Sequence, residues 1–150
     1  MSKIRARGST LKSVEDGVAE ARKNWGQQLN CAESVLRGVC LAQGIELPDI
    51  AKKMATPFGG GIGRAEDVCG ALSGGVLAIG ASIGRTRPEE DRLKSYDTAR
   101  ELHKMFLKGF SSTSCKVLNK SDFKSAEHRV RCGRIVEECT MFTLEVLRKK

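Results

Sequence analysis

The stretch RAEDVCGALSGGVLAIG, residues 64–80, decides how the rest of this chain is read. From Val68 to Gly84 no charged residue occurs, and five glycines interrupt the apolar run. A membrane span wants about 20 mostly apolar residues. This run is shorter and bounded by Asp67 and Arg85, so it reads as a buried central helix rather than an anchor. Just ahead of it, FGGGIG at 58–63 packs four glycines into six residues, and a cysteine, Cys69, opens the helix.

Outward from that point every periodic segment steps by three or four residues, which is the helical signature. A first helix is expected from about Ser13 to Leu29, with Val14, Val18, Ala21, Trp25 and Leu29 on one face. NCAESVLRGVCLAQG reads as a second, with Asn30 as its cap, Glu33 completing a capping box and Gly44 as the stop. A third, short helix begins near Pro48. Beyond the apolar helix, a polar helix is expected from about Glu89 to Phe110. A polar loop with one helical turn at Cys115 follows, and a last helix runs from Ala126 to Leu147. No segment alternates as a strand would. The expectation is an all-α bundle of five or six helices, a single domain over residues 1–150, with a glycine-rich loop before the central helix.

Composition narrows the function classes. At 40% hydrophobic and 29% charged, the chain has the balance of an ordered globular protein. Its net charge of +8 would attract acidic partners. With seven aromatics and no recognisable nucleic-acid motif, nucleic-acid binding is not favoured. The basic start MSKIRARGSTLK is not followed by an apolar signal core, so a cytoplasmic protein is expected, with no membrane segment. A homo-oligomer is left open.

Six cysteines, at 31, 40, 69, 115, 132 and 139, are too sparse for a disulfide scaffold. In a reducing compartment they read as buried thiols, metal ligands or redox-active thiols. Cys31 and Cys40, nine apart on one helix, point in nearly opposite directions, so they cannot both be central to one site. Cys31 is the better placed, in a first helical turn where free backbone N–H groups favour a thiolate. Cys40 reads as a core thiol. Cys132 and Cys139 share a face about 10.5 Å apart along the axis and must meet different partners.

Cys132 lies among Arg129, Arg131 and Arg134, any of which would favour its thiolate, and His128 sits four residues back on the same face. Cys69, close to the first turn of its helix, is the most informative sulfur. Glu66 and Asp67 would raise its pKa if they approach. Gly60, Gly61 and Gly63 offer a tightly turning backbone beside it, while Gly70 and Gly74 clear room for a helix or a cofactor. The loop is no dinucleotide or phosphate-loop fingerprint, because GGGIGR has neither the G-x-G-x-x-G spacing nor the lysine. Cys115, in FSSTSCK, adds a fourth sulfur near serines and Lys116.

Together Cys31, Cys69, Cys115 and Cys132 make a four-sulfur hypothesis drawn from four elements. Soft thiolates suit zinc or an iron–sulfur cluster, and close pairs suit dithiol exchange with no metal at all. There is no C-x-x-C, the usual local mark of structural zinc or a thioredoxin-like site.

The words NCAESVL, FGGGIGRAEDVCGALSGG, STSC and RC, in that order, resemble the family of redox-active proteins named for its C_GCAxxG_C_C cysteine–glycine pattern. The resemblance runs from about Asn30 to Cys132. Its central word departs from the pattern, since Val68 precedes Cys69 where the pattern has glycine. It implies a small helical protein with Cys31, Cys69, Cys115 and Cys132 as the family cysteines, over Cys40 and Cys139. A redox role follows, by thiol–disulfide exchange or a metal–thiolate centre, with a redox protein or an acidic protein as partner. The rival is a noncatalytic helical binding protein whose cysteines hold structural zinc or simply pack, and whose basic surface engages an acidic macromolecule.

Overall fold

The structure, a computed structural model, describes residues 11–150; the basic start at residues 1–10 lies outside the described part. The fold is all-α. Seven helices of five residues or more follow in order among the described residues: α1 (Val14–Gly26), α2 (Cys31–Ala42), α3 (Asp49–Ala55), α4 (Gly70–Ile83), α5 (Leu93–Phe110), α6 (Cys115–Asn119) and α7 (Ala126–Arg148). The single turn expected at Cys115 is the short helix α6, which takes the count above six.

Helix boundaries follow local chemistry. Asn30 Oδ1 accepts from the Glu33 N–H at 3.0 Å, and Glu33 Oε1 accepts from the Asn30 N–H at 3.0 Å, the capping box expected for α2. Gly44 takes a left-handed φ of 67° and ends it. α1 stops at Gly26 rather than Leu29, because Gln28 turns left-handed and the Leu29 N–H returns to Asn24 O. α5 starts at Leu93 rather than Glu89. Glu90 is engaged by Thr86 and Arg87, and Asp91 accepts from the Leu93 N–H at 2.8 Å.

α2 is the hub, packed on α1, α4 and α7. Gly17 and Gly38 let α1 and α2 touch: a Cβ on Gly38 would stand 2.6 Å from Gly17 O and 2.8 Å from Ala21 Cβ. A glycine in a helix interior costs roughly 1 kcal/mol against alanine, and close contact between the two backbones offsets it. Val35, Leu36 and Val39 of α2 meet Leu72 and Ile79 of α4, Leu102 and Phe106 of α5, and Val136 and Leu144 of α7 in one core. α4 buries Ala71, Leu72, Ala78 and Ile79, while Val76, Gly80 and Ala81 face solvent. Among the described residues no helix is long and apolar enough to cross a membrane.

Candidate functional site

The four candidate sulfurs reach one place by four routes. The Thr56–Ile62 segment folds back over the start of α2: Asn30 Nδ2 donates to Thr56 O at 2.8 Å and Thr56 Oγ1 donates to Glu33 at 3.2 Å. Its glycines then turn left-handed, with φ of 67° at Gly60, 70° at Gly61 and 57° at Gly63. Ile62, Arg64 and Glu66 take positive φ as well, a strained run for side-chain-bearing residues. The return is fixed by the Glu66 N–H to Gly60 O at 3.1 Å and the Asp67 N–H to Gly61 O at 3.0 Å.

Residues 66–69 next pair with 113–116. Val68 and Ser114 form an antiparallel bridge, the Cys69 N–H donates to Thr113 O at 2.7 Å, and the Cys115 N–H donates to Asp67 O at 2.6 Å. This pairing carries Cys69, at the start of α4, to Cys115, at the start of α6. Cys132 arrives on α7.

Cys31, Cys69, Cys115 and Cys132 all line a single cavity of about 640 Å³. Cys40 and Cys139 do not line it and are core thiols. Cys139 donates to Ala71 O at 3.2 Å, deep between α4 and α7.

Where the glycines fall answers what their missing side chains make room for. A Cβ on Gly70 would overlap the Cys31 sulfur and approach Phe58 O at 2.8 Å, so this position is clear for a sulfur. At Gly74 the room is taken by α2, whose Ala32 O would lie 2.5 Å from the added atom. Gly61 presses on Cys115 and on the Asp67 N–H, at 2.6 and 2.7 Å by the same measure. Gly60, Gly63 and Gly70 line the cavity, whereas Gly61 and Gly74 stand behind its wall.

Electrostatics at the sulfurs differ from the sequence expectation. Helix-start N–H groups and nearby arginines were expected to favour thiolates, yet all four thiols are pushed up. Burial is the largest cause at each. Cys31 is raised despite the N–H groups of Gly60 and Ala32. Cys69 is raised well above its ordinary value, although the N–H groups of Ala71 and Leu72 oppose the shift. Cys115 is pushed up to about 11, by burial, by Cys31 and by Glu66. Glu66 thus acts on Cys115 rather than on Cys69. Cys132 rises to about 12, burial outweighing Arg131 and Arg129. The Cys31 charge raises each of the other three, which makes it the electrostatic centre of the group.

The arginines are otherwise engaged. Arg131 donates to Asn119 O at 2.8 Å and pairs with Asp122 at 3.7 Å; Arg134 pairs with Glu138; Arg129 lies over the Trp25 ring, 4.1 Å from its centroid.

Cys132 meets a polar network that local spacing half revealed. His128, four residues back, places Nδ1 at 3.4 Å from the sulfur. Asn119, which the sequence did not mark, places Oδ1 2.7 Å from His128 Nδ1 and 3.3 Å from the sulfur. Arg131 also donates to that oxygen at 3.3 Å, which orients the amide and gives His128 Nδ1 the proton. His128 is held below its ordinary pKa by burial, with Arg129, Arg131 and Arg64 adding to the shift and Asp122 opposing it. The edges of Trp25 and Phe123 close on its ring, with centroids at 5.7 and 5.9 Å. His103 is exposed and far along α5, outside the cavity lining.

A model of the family described as "Putative redox-active protein (C_GCAxxG_C_C)" matches residues 29–146. The chain is similar to an uncharacterized protein of Archaeoglobus fulgidus, 31% identical over 128 residues, covering 79% of this chain and 85% of that one. No solved structure gives a significant match.

Proposed function

This chain belongs to the C_GCAxxG_C_C family of redox-active proteins, and from that premise we propose that Cys31, Cys69, Cys115 and Cys132 hold a metal–sulfur centre of the iron–sulfur type that carries electrons. The observation that carries the reading is the convergence of these four sulfurs on one cavity while the other two cysteines stay in the core.

The donor set fits such a centre. Four soft thiols are what iron–sulfur clusters take. With pKa values at or near 11 to 12, fewer than roughly one in 10⁴ of the Cys115 or Cys132 thiols is ionised at pH 7. Metal binding supplies the positive charge that deprotonates such thiols. A single zinc ion needs its sulfurs about 2.3 Å from one point. Among the described residues no group of three or more His, Cys, Asp or Glu side chains is placed to hold a metal ion. A cluster would spread its ligand sulfurs over several metal atoms. When bound, it would supply one-electron transfer.

The chain's own residues have defined tasks in this reading. N–H groups of Gly60 and Ala32 face the Cys31 sulfur, and those of Ala71 and Leu72 face Cys69. Hydrogen bonds to ligand sulfurs stabilise the more negative, reduced state and raise the potential. His128 and Asn119 orient Cys132. The burial of Cys69 and Cys115 limits water. A redox protein is the natural partner, and a reducing, cytoplasmic setting goes with six free thiols.

A second reading rests on the Cys31 sulfur lying against Gly70, the residue after Cys69. These two thiols could cycle to a disulfide, releasing two protons and two electrons to an acceptor disulfide.

Anaerobic purification followed by visible spectroscopy, iron, zinc and sulfide analysis, and thiol titration separates the cases. A visible chromophore with iron and sulfide, lost in Cys31→Ser, is expected. A metal-free protein that oxidises reversibly by two thiols would overturn the cluster in favour of exchange. Neither behaviour would leave the noncatalytic binding protein with an acidic partner.

A further inference from the structure

The cavity that the four sulfurs line is lined by cations as well. Arg64, Lys124 and Arg129 line it, and no aspartate or glutamate does. None of the three cations forms an ion pair among the described residues. Two nearby carboxylates are committed elsewhere, Asp122 to Arg131 and the start of α7 and Glu33 to the α2 cap, while Glu66 acts on Cys115.

Two of the cations are held in position. Arg129 stacks on Trp25 and donates to its carbonyl oxygen, while Arg64 stands over the Phe123 ring at 5.3 Å. Both rings in turn close on His128, which touches Cys132. A chain of contacts thus runs from these cations to the sulfurs.

One polar group in the wall of the cavity is left unsatisfied. Asn119 lines the cavity and is 2% exposed, yet its amide nitrogen has no hydrogen-bond partner. A buried donor left unmade costs on the order of 1–3 kcal/mol. Its oxygen is fixed by Arg131 and His128, so the nitrogen cannot trade places with it. A volume of about 640 Å³ is in the range of small-molecule sites.

We propose that this cavity binds a small molecule bearing a carboxylate or phosphate group, held by Arg64, Lys124 and Arg129 beside the sulfurs. Guanidinium groups match either oxyanion with paired N–H donors. As a substrate site it rests on the redox reading above. As a binding site it does not.

Trp25 is the sole tryptophan of the chain and lines the cavity, so its fluorescence reports occupancy directly. The anaerobically purified full chain is titrated with inorganic phosphate and, separately, with succinate, ionic strength being held constant with chloride. A saturable change is expected with at least one of the two, weakened tenfold or more in the Arg64→Gln/Lys124→Gln double variant. The control Lys108→Gln, on exposed α5 surface, leaves it unchanged.

No saturable response to either anion overturns the proposal, as does a response that the double variant does not alter. So does a double variant that shifts the potential of the centre in a protein binding neither anion, because the cations would then serve only as countercharges. A colourless, metal-free, non-oxidising protein that still binds phosphate loses the redox reading and keeps this one. A coloured protein that binds neither anion does the reverse.

Discussion

Cys132 and Cys139 sit seven residues apart on α7, on nearly one face, and burial pushes both thiols to about 12. Their surroundings nevertheless differ. Cys139 is fully buried between α4 and α7, donates to Ala71 O and has Thr143 beside it. Cys132 opens on a cavity and touches Asn119 and His128. Two thiols that burial pushes the same way thus belong to different parts of the molecule. What separates them is the cavity and the polar partners beside Cys132.

The largest effect that would break this contrast comes from removing each sulfur. Cys132→Ala is expected to abolish the metal–sulfur chromophore while changing the melting temperature of the metal-free protein little. Cys139→Ala should keep the chromophore and lose about 1–2 kcal/mol of stability to the void. Metal analysis and thermal unfolding of the two variants check both, and a reversal would mean that the two sulfurs have been assigned the wrong way round.

Next in size is alkylation. In metal-free protein at pH 8 an ordinary thiol is about a quarter ionised, whereas Cys115 at about 11 is about 0.1% ionised. Iodoacetamide should label Cys115 at least about 100-fold more slowly in the folded protein than in urea, with the rate climbing toward pH 11. Mass spectrometry of the labelled peptides reads the ratio.

Gly70→Ala tests the cavity half by crowding. The added carbon overlaps the Cys31 sulfur and the Phe58 carbonyl, which is backbone and cannot swing aside. Overpacking of this kind costs about 1–3 kcal/mol, and metal content should fall with it.

A smaller effect separates the two ends of α7 by pH. Asp122 holds the start of the helix through Ser125 and the Lys124 N–H, and those hydrogen bonds lower its pKa to about 2. The folded value is below the unfolded one, so this stabilisation is present above about pH 4 and fades as pH falls toward 2. Asp122→Asn should flatten the melting profile between pH 4 and 2. Gly80→Ala is the smallest change and has the opposite sign. Nothing lies within 4 Å of the added carbon on the exposed side of α4, so stability should rise by about 0.5–1 kcal/mol.

Much of the fold was legible because its causes are local. The capping box of Asn30 and Glu33, the stop at Gly44 and the helical period of α7 involve residues within four or five positions of each other. Nothing in the local pattern set Gly38 apart, and only packing showed Gly17 and Gly38 to be the crossing point of α1 and α2. Asn119 left no mark in the sequence. It meets Cys132 across thirteen positions and two left-handed residues, Lys120 and Ser121, a path that no periodicity describes. Trp25 read as core on α1, and the structure puts it on the cavity wall.

The amino-acid sequence by itself determined the helices and their caps and carried the pattern that sets four cysteines apart from two, since these follow from short-range hydrogen bonding, side-chain period and a family resemblance. Tertiary structure alone decided that the four sulfurs share one cavity. It also decided that burial overrides helix-start N–H groups and arginines in setting their protonation. Both depend on which distant segments exclude water from the same place, and desolvation is a property of the assembled fold rather than of any stretch of chain.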